Sequence, residues 1–301
     1  MRTTVARIGG ARMGLADRLR CDWVYFTSVR RMLRRVRPVV RDKSRIWPEE
    51  VARLAARFGP RPALISDRET LTYAEFHARG NRYARWARSV CLGKGETVAL
   101  LMENRPEYLA IWLGVTRAGG AVALLNTGLT GVSLAHCINT VKATHVIVSA
   151  ELETAFATAE PLLSCGPRVW SHGEGGHERI DVAVAGFSDA DLSPDEKPAL
   201  TTKDRCLFIF TSGTTGLPKA ANINHYRTHA MMQAFSAAAE AGADDRMYVA
   251  LPLYHTSGGV LAAGAALTAG ASAFIREKFS ASQFWDDVVG HGCTLFQYIG
   301  E

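Results

Sequence analysis

The sequence predicts an α/β fold in which two mostly parallel β-α-β subdomains carry helices on both faces. Two observations support this class. From Trp47 onward, short apolar segments typical of buried strands alternate with longer segments of helical periodicity. The chain has 301 residues, of which 48% are apolar and 21% charged, and this is enough for one or two domains with their own cores.

The first predicted subdomain covers residues 47–170. Apolar and β-branched runs predict its strands at 62–66, 97–102, 121–125, 144–149 and 168–170. Amphipathic spacing predicts its helices at 48–58, 73–90, 107–117, 132–142 and 152–163. Parallel strands need crossover connections of this kind, so the alternation predicts a parallel sheet.

The second predicted subdomain covers residues 205–301 and follows a connecting loop at 171–204 that is rich in Gly, Asp, Glu, Ser and Pro. Its strands are predicted at 206–210, 246–251, 271–275 and 293–298, and its helices at 226–242, 258–269 and 280–291. The neighbours of the last strand would lie beyond Glu301. We therefore expect an exposed apolar edge and a subdomain of marginal stability by itself.

Positive charge is concentrated in an N-terminal arm, residues 1–46. Residues 1–45 contain 13 basic and 3 acidic residues, whereas the remainder contains 22 basic and 26 acidic residues, which argues against a nucleic-acid-binding core. Within the arm, Val29, Met32, Leu33, Val36 and Val40 fall on one helical face, opposite Arg30, Arg31, Arg34, Arg35, Arg37 and Arg41. Such a helix, which we expect Pro38 to kink, either lies on an anionic membrane through residues 18–45 or packs on its own domain. The sequence leaves both possibilities open.

The cysteine spacing and the lack of long apolar runs in this sequence lead to an expectation about its cellular compartment. Its six cysteines are widely spaced and form no C-x-x-C pair, so neither a disulfide framework nor a zinc site is indicated. No apolar run of about 18 residues is present, and no signal-peptide pattern follows Arg2, Arg7 and Arg12. We therefore expect a cytoplasmic protein, with peripheral contact at the inner face of the membrane if the arm binds lipid.

The strongest chemical motif is Thr211-Ser-Gly-Thr-Thr-Gly-Leu-Pro-Lys219, directly after the predicted strand at 206–210. Phosphate is bound by backbone N–H groups that glycine leaves accessible, by hydroxyls and by a cation. The motif supplies all three through Thr211, Ser212, Gly213, Thr214, Thr215, Gly216 and Lys219. It is not a Walker A loop, because Leu217 and Pro218 separate the glycine from the lysine. A polyphosphate site is predicted, with a solvated turn as the alternative.

This motif resembles the phosphate-binding signature of the adenylate-forming (AMP-binding) superfamily. Five further segments are similar to its branch of fatty-acid-transport proteins and very-long-chain acyl-CoA synthetases: MENRPEYLAIWLGVTRAGG (102–120), LLNT (124–127), LAHCI (134–138), LPLYHTSGG (251–259) and FWDD (284–287). The resemblance runs from about Trp47 to Glu301 and implies the N-terminal half of the synthetase large domain. It implies a ligase that uses ATP with Mg²⁺ to convert a long-chain fatty acid to an acyl-adenylate, and then transfers the acyl group to coenzyme A.

The resemblance also implies roles for individual residues. Thr211 to Gly216 would hold the β- and γ-phosphates, and Lys219 would offset the charge of the leaving pyrophosphate. His255 matches the position beside the acyl carboxylate, and Gly258 and Gly259 would leave room for the acyl chain. Lys219 and His255 are therefore the expected catalytic residues. The alternative for His255 is a helix-start residue that bonds a local carbonyl.

Other polar clusters carry weaker signals. His225 and His229 stand four residues apart on a predicted helix, but no third metal ligand is evident and we expect ordinary helix residues. A solvated turn is the expected explanation for four residues of the connecting loop, His172, Glu174, His177 and Glu178. No metal site is predicted.

Three working parts of the family have no counterpart in this sequence: the segment that packs near adenine and supplies a Glu to Mg²⁺, the acidic residue that binds ribose, and the C-terminal domain with its catalytic lysine. We therefore expect a truncated ligase that is not competent alone. Two alternatives remain. One is a non-catalytic, membrane-associated lipid- or nucleotide-binding protein, and the other is the product of a decayed gene. The acyl chain length is not determined by these patterns.

Overall fold

The computed structural model describes residues 14–164, 166–211 and 216–299, which form two β-sheets covered by helices. The α-helices are α1 (Leu15–Arg41), α2 (Trp47–Phe58), α3 (Tyr73–Ser89), α4 (Pro106–Arg117), α5 (Gly131–Thr140), α6 (Glu153–Ala157), α7 (Ile180–Ala185), α8 (His225–Ala238), α9 (Ala265–Thr268) and α10 (Phe284–Gly290). The strands are β1 (Pro62–Ile65), β2 (Thr70–Thr72), β3 (Thr97–Leu101), β4 (Ala121–Leu124), β5 (His145–Ser149), β6 (Arg168–His172), β7 (Glu178–Arg179), β8 (Arg205–Thr211), β9 (Lys219–Asn224), β10 (Arg246–Val249), β11 (Ser272–Ile275) and β12 (Leu295–Phe296). The predicted fold class is confirmed.

The larger sheet has the strand order β7-β6-β5-β3-β4-β8-β9. All its pairs are parallel except β8 with β9. Strands β3, β4 and β5 are buried along their whole length. They read as continuous apolar runs because both faces of a parallel sheet are covered.

The smaller sheet has the order β12-β10-β11-β1-β2. It combines two strands from the N-terminal part of the chain, β1 and β2, with three from the C-terminal part. Strand β1 lies parallel to β11, with Leu64 opposite Ala273, and the Tyr73 hydroxyl donates to the carbonyls of Ala271 and Leu267. Strands β8 and β9, in turn, complete the larger sheet. The sheets therefore do not follow the predicted division at 171–204. Apolar periodicity identifies a strand, whereas long-range packing selects its neighbour.

The predicted connecting loop at 171–204 is packed on α3. It contains β7, α7 and the end of β6. Arg85 of α3 donates to the carbonyls of Ser188 and Ala190, each at 2.7 Å, and forms an ion pair with Glu196 at 2.8 Å. Polar composition predicted an irregular surface segment, but these long-range bonds fix much of it on the domain.

Two predicted helices differ in form. The segment predicted at 152–163 consists of α6 between two 3₁₀ turns, Ala150–Leu152 and Glu160–Leu162, and Pro161 lies in the second turn. The segment predicted at 258–269 begins as a π-helix, Thr256–Gly264, and continues as α9. Its glycines pack closely, since a Cβ on Gly264 would lie 2.5 Å from the Met232 side chain.

Helix α1 packs on α8 through arginines of its basic face. Arg31 donates to the Ala237 carbonyl and forms an ion pair with Glu240 at 2.7 Å. Arg35 donates to the Ser236 hydroxyl at 2.8 Å and to the Ala241 carbonyl at 3.0 Å. These are the last residues of α8 and the turn beyond it, where helix carbonyls lack intrahelical partners and attract cations.

The predicted apolar side of α1 is only partly covered. Val29, Met32 and Val36 are half-buried, but Leu33 and Val40 are exposed by 62% and 57%, and the buried residue is Val39. The helix also continues past Pro38 to Arg41. In the described part of the chain, no helix is both long and apolar enough to cross a membrane.

Candidate functional site

The predicted phosphate loop connects the two strands of an antiparallel hairpin. Thr211 ends β8 and Lys219 begins β9, and the two residues are paired in the register. Four residues of the predicted site, Ser212, Gly213, Thr214 and Thr215, lie outside the described residues. The pairing places the exposed Lys219 at the base of the loop beside Thr211. Strand β9 was not predicted from the sequence, and it is what determines this position of the lysine.

A cavity of about 480 Å³ lies beside the loop. It is lined by Asn126, Leu129, Phe210, Thr211, Gly216, Pro218 and His255. Strands β4 and β8 are parallel neighbours, and six of these residues come from the carboxyl end of β8 or from the loops that follow the two strands. Ligands of open α/β sheets bind beyond such strand ends. The structure thus brings together three of the predicted residues: Thr211, Gly216 and His255.

His255 enters the cavity from the smaller sheet. It lies in the loop after β10 and is the N-terminal capping residue of the π-helix, but its side chain makes no capping hydrogen bond. Its ring is 4.5 Å from the ring of Tyr254, centroid to centroid. Burial lowers the pKa of His255, so the imidazole is neutral at pH 7. A neutral imidazole offers one donor and one acceptor to a ligand. The alternative, a side chain engaged in starting its own helix, has no hydrogen bond to support it.

Asn104 attaches the loop that carries His255 to the larger sheet. Its Nδ2 donates to the carbonyls of Leu251 and Arg276 at 3.1 and 3.2 Å, and its Oδ1 accepts from the Leu253 N–H at 2.8 Å. Asn104 follows β3, so one side chain links the two sheets at the cavity. The sequence drew attention to this segment only as part of a resemblance.

Replacing Asn104 with alanine is expected to lower the free energy of unfolding by about 2 to 3 kcal/mol, because buried groups of the loop lose their partners. Chemical denaturation measures this loss. The control is Asn222→Ala on the exposed face of β9, where the amide oxygen accepts from Arg205 and the expected change is below about 0.5 kcal/mol. If the two variants lose the same free energy of unfolding, the hydrogen bonds of Asn104 do not stabilise the loop that carries His255.

Gly258 and Gly259 are buried in the π-helix, and their close packing explains why both positions require glycine. A Cβ on Gly258 would lie 2.3 Å from the Pro252 carbonyl oxygen, and one on Gly259 would lie 2.4 Å from that of Leu253. The glycines therefore let the loop bearing His255 fold tightly against the helix. The predicted space for an acyl chain beside them stays a prediction.

His136 also contacts the phosphate loop and was not identified as a site residue. It lies on α5, and its Nε2 is 3.1 Å from the Pro218 carbonyl oxygen. A protonated Nε2 donates a hydrogen bond to this carbonyl and supports the second half of the loop. Nothing in the local pattern LAHCI distinguishes this histidine from a surface residue of α5.

Three other histidines, His177, His225 and His229, are not among the residues that line this cavity. Burial lowers the pKa of His225 to about 4, and His229 Nδ1 is 3.0 Å from the Arg45 carbonyl oxygen. His177 lies between Glu160 and Glu153, at 3.0 and 3.3 Å, and is more tightly held than the predicted solvated turn. Within residues 14–164, 166–211 and 216–299, no three His, Cys, Asp or Glu side chains are grouped to hold a metal ion.

Comparisons with known proteins identify the family of this chain. A sequence model of the AMP-binding enzyme family matches residues 51–300. Long-chain fatty acid transport protein 6 of Mus musculus is 40% identical over 250 residues, which are 80% of this chain and 40% of that protein. Long-chain fatty acid transport protein 1 of Homo sapiens is 38% identical over 240 residues, 77% of this chain and 37% of that protein. The chain thus spans 40% or less of the length of these relatives.

Solved structures share the fold. ATP-bound MatB from Rhodopseudomonas palustris is 27% identical with a TM-score of 0.70, and the match covers 80% of this chain and 48% of MatB. A putative long-chain-fatty-acid CoA ligase from Rhodopseudomonas palustris CGA009 is 23% identical with a TM-score of 0.77, covering 87% of this chain and 64% of that one. Both matches concern the fold, which this chain shares over most of its length.

Proposed function

Because this chain belongs to the AMP-binding enzyme family, we propose that it carries part of the active site of an ATP-dependent long-chain or very-long-chain fatty acyl-CoA ligase. One observation carries the proposal: the cavity that joins the phosphate loop to His255. The similarity to long-chain fatty acid transport proteins supports a fatty acid as substrate, and the similarity to ATP-bound MatB supports ATP. Coenzyme A is the proposed second substrate.

In the first step, a carboxylate oxygen of the fatty acid attacks the α-phosphorus of ATP and pyrophosphate leaves. Thr211 and Gly216 border the space for the phosphates, and Lys219 supplies positive charge as negative charge moves onto pyrophosphate. Neutral His255 donates one hydrogen bond to the fatty-acid carboxylate and holds it in line for attack. In the second step, the coenzyme A thiolate attacks the acyl carbonyl and AMP leaves.

Mg²⁺ is not assigned to residues of this chain. The described residues contain no grouped set of metal-binding side chains, so the ion would arrive as the MgATP complex. The neutralisation that this chain itself supplies comes from Lys219 and from backbone N–H groups of the loop. Catalytic competence of the 301 residues alone is not part of the proposal.

Binding of MgATP tests the proposal. Lys219→Ala is expected to weaken MgATP binding to the 301-residue chain by about tenfold, as removal of one charged phosphate contact does. Isothermal titration calorimetry measures the affinity. The control is Lys203→Ala, an exposed lysine just before β8, at the opposite end of that strand from Thr211 and the loop. The proposal fails if the folded wild-type chain binds no MgATP, or if the two variants bind it equally.

We also propose peripheral membrane contact through the exposed α1 stripe. These are apolar residues at helical spacing on the side away from α8: Leu15, Leu19, Trp23, Phe26, Leu33 and Val40, all more than half exposed. Arginines border the stripe, and interfacial helices combine such an apolar face with attraction to anionic headgroups.

Vesicle flotation tests this contact. The double variant Trp23→Ser with Phe26→Ser is expected to reduce binding to phosphatidylserine-containing vesicles by at least about tenfold, because two large apolar side chains no longer enter the interface. Val182→Ser, at an equally exposed apolar residue of α7, serves as the control. Unchanged flotation of the double variant would remove the stripe as a membrane contact. Membrane binding without ligase activity in any longer form would favour the non-catalytic alternative.

A further inference from the structure

A second cavity, of about 750 Å³, lies where α1 crosses α2 and the end of α8. Its wall contains five arginines and one acid: Arg31, Arg34, Arg35, Arg45, Arg57 and Glu50. It shares no lining residue with the cavity beside the phosphate loop. Its composition is unlike that of an ordinary surface depression, because charges of one sign are gathered around a common space.

Carboxylates in the described part of the chain neutralise only two of these five arginines. Arg31 pairs with Glu240 at 2.7 Å, and Arg45 pairs with Glu50 at 3.3 Å. Glu50 is already shared with Arg53, at 2.9 Å, so its charge is divided between two guanidinium groups. The other three cavity arginines have no acidic partner among the described residues.

These three arginines differ in their surroundings. Arg35 bonds only neutral groups, the Ser236 hydroxyl and the Ala241 carbonyl. Arg57 lies over the ring of Phe58, 4.8 Å from its centroid, and Arg34 borders the cavity from an exposed position on α1. Burial and the charge of Arg31 lower the pKa of Arg35, which reflects the cost of holding like charges together without an anion.

The cavity can hold more than a simple ion. Its volume is within the range of small-molecule sites, and Leu54, Phe58 and Pro38 provide apolar wall beside the arginines. Guanidinium groups form paired, planar hydrogen bonds to phosphate, and several of them around one space favour a group with more than one negative charge. A phosphomonoester with a small organic part meets both conditions.

We propose that this cavity is a binding site for an organic phosphomonoester, with Arg34, Arg35 and Arg57 as its cationic ligands. The site is separate from ATP binding at the phosphate loop and does not depend on ligase activity. The phosphomonoester belongs either to a free metabolite or to the headgroup of an anionic lipid, and both present the same terminal phosphate to the arginines.

The experiment uses the 301-residue chain and two probes. Glycerol 3-phosphate is titrated by calorimetry, and flotation compares phosphatidylcholine vesicles that contain phosphatidic acid with matched vesicles that contain phosphatidylserine. The variants are Arg34→Gln and Arg57→Gln, whose side chains make no hydrogen bond or ion pair within the described residues and whose replacement should preserve the fold. The matched control is Arg41→Gln, on the same helix but outside the cavity wall.

We expect each cavity variant to weaken binding about tenfold, while Arg41→Gln and Lys219→Ala bind like the wild type. If the chain binds glycerol 3-phosphate, a free phosphomonoester is sufficient as the ligand. If it does not bind glycerol 3-phosphate but floats better with phosphatidic acid vesicles than with phosphatidylserine vesicles, the ligand is the lipid headgroup. Thermal unfolding confirms that each variant is folded. The proposal is overturned if the folded wild type does not bind glycerol 3-phosphate and floats no better with phosphatidic acid vesicles than with phosphatidylserine vesicles, or if the cavity variants and Arg41→Gln lose affinity equally.

Discussion

Replacing Glu107 with glutamine is expected to lower the free energy of unfolding by about 3 kcal/mol at pH 7. Glu107 is buried at the start of α4, where Arg79 lies 2.6 Å away and the Tyr83 hydroxyl donates to the carboxylate. Burial alone would raise the pKa of Glu107. His172, Arg79 and Tyr83 outweigh it and lower the pKa to about 2. Glutamine keeps the size of the side chain but removes the charge that pairs with the half-buried Arg79, which then retains only Glu69 as an acidic partner.

The pH dependence of this loss has a definite sign. The pKa of Glu107 is lower in the folded protein than its ordinary value of 4.5, so the stabilisation is complete above about pH 4.5 and is lost as the pH falls towards 2. The difference between the wild type and Glu107→Gln should therefore be largest near neutral pH and shrink in acid. Urea denaturation of both proteins from pH 7 to about pH 3 measures it.

An exposed ion pair provides the control for Glu107. Glu178 pairs with Arg168 at 2.5 Å, but its side chain is 56% exposed. Glu178→Gln is therefore expected to change the free energy of unfolding by less than about 1 kcal/mol at every pH, because solvent screens the pair. A loss in Glu107→Gln that stays constant from pH 7 to about pH 3 would show that packing, and not the ionised carboxylate, stabilises the site.

Replacing Gly114 with alanine is expected to destabilise the fold by about 2 to 3 kcal/mol, although alanine favours a helix by about 1 kcal/mol relative to glycine. At Gly114, α4 lies directly against α3. A Cβ at this position would lie 2.2 Å from the Tyr83 Cβ, 2.7 Å from the Gly80 carbonyl oxygen and 2.9 Å from the Ala84 nitrogen. Backbone atoms cannot move aside as a side-chain end can, so the two helices must separate.

Gly290→Ala is the matched control for Gly114→Ala. Gly290 is the last residue of α10, and a Cβ there meets no atom within 4 Å. This variant should keep or slightly raise the free energy of unfolding, which chemical denaturation measures for both. If Gly114→Ala is as stable as Gly290→Ala, the close contact of α3 and α4 does not require glycine.

Much of the candidate site could be predicted from the sequence, because its chemistry is local. The spacing of glycines, hydroxyls and Lys219 in one loop follows from what phosphate binding requires. His255 was identified only through a resemblance, since a single histidine in a loop carries no signal of its own. Asn104 and His136 were not identified, because their hydrogen bonds reach the Leu251–Leu253 segment and Pro218 over large sequence separations.

The side of α1 that contacts the domain also could not be predicted from the sequence. Periodicity correctly indicated a helix with apolar and basic positions, but not which of them would contact the domain. Arg31 and Arg35 pack on α8 because its C-terminal carbonyls need donors, and Leu33 remains in solvent. A local sequence pattern cannot indicate that arginines of α1 will bind the C-terminal end of α8, which lies about 200 residues away in the chain.

The sequence by itself determined the α/β class, the existence of most strands and helices, and a loop motif that we predict to bind phosphate, because each depends on residues close together in the chain. Only the tertiary structure decided that β1 joins β11, that β9 brings Lys219 beside Thr211, and that His255 meets the phosphate loop in one cavity. The physical reason is that these contacts join segments far apart in the chain. Their partners are selected by packing and hydrogen bonding of the whole fold.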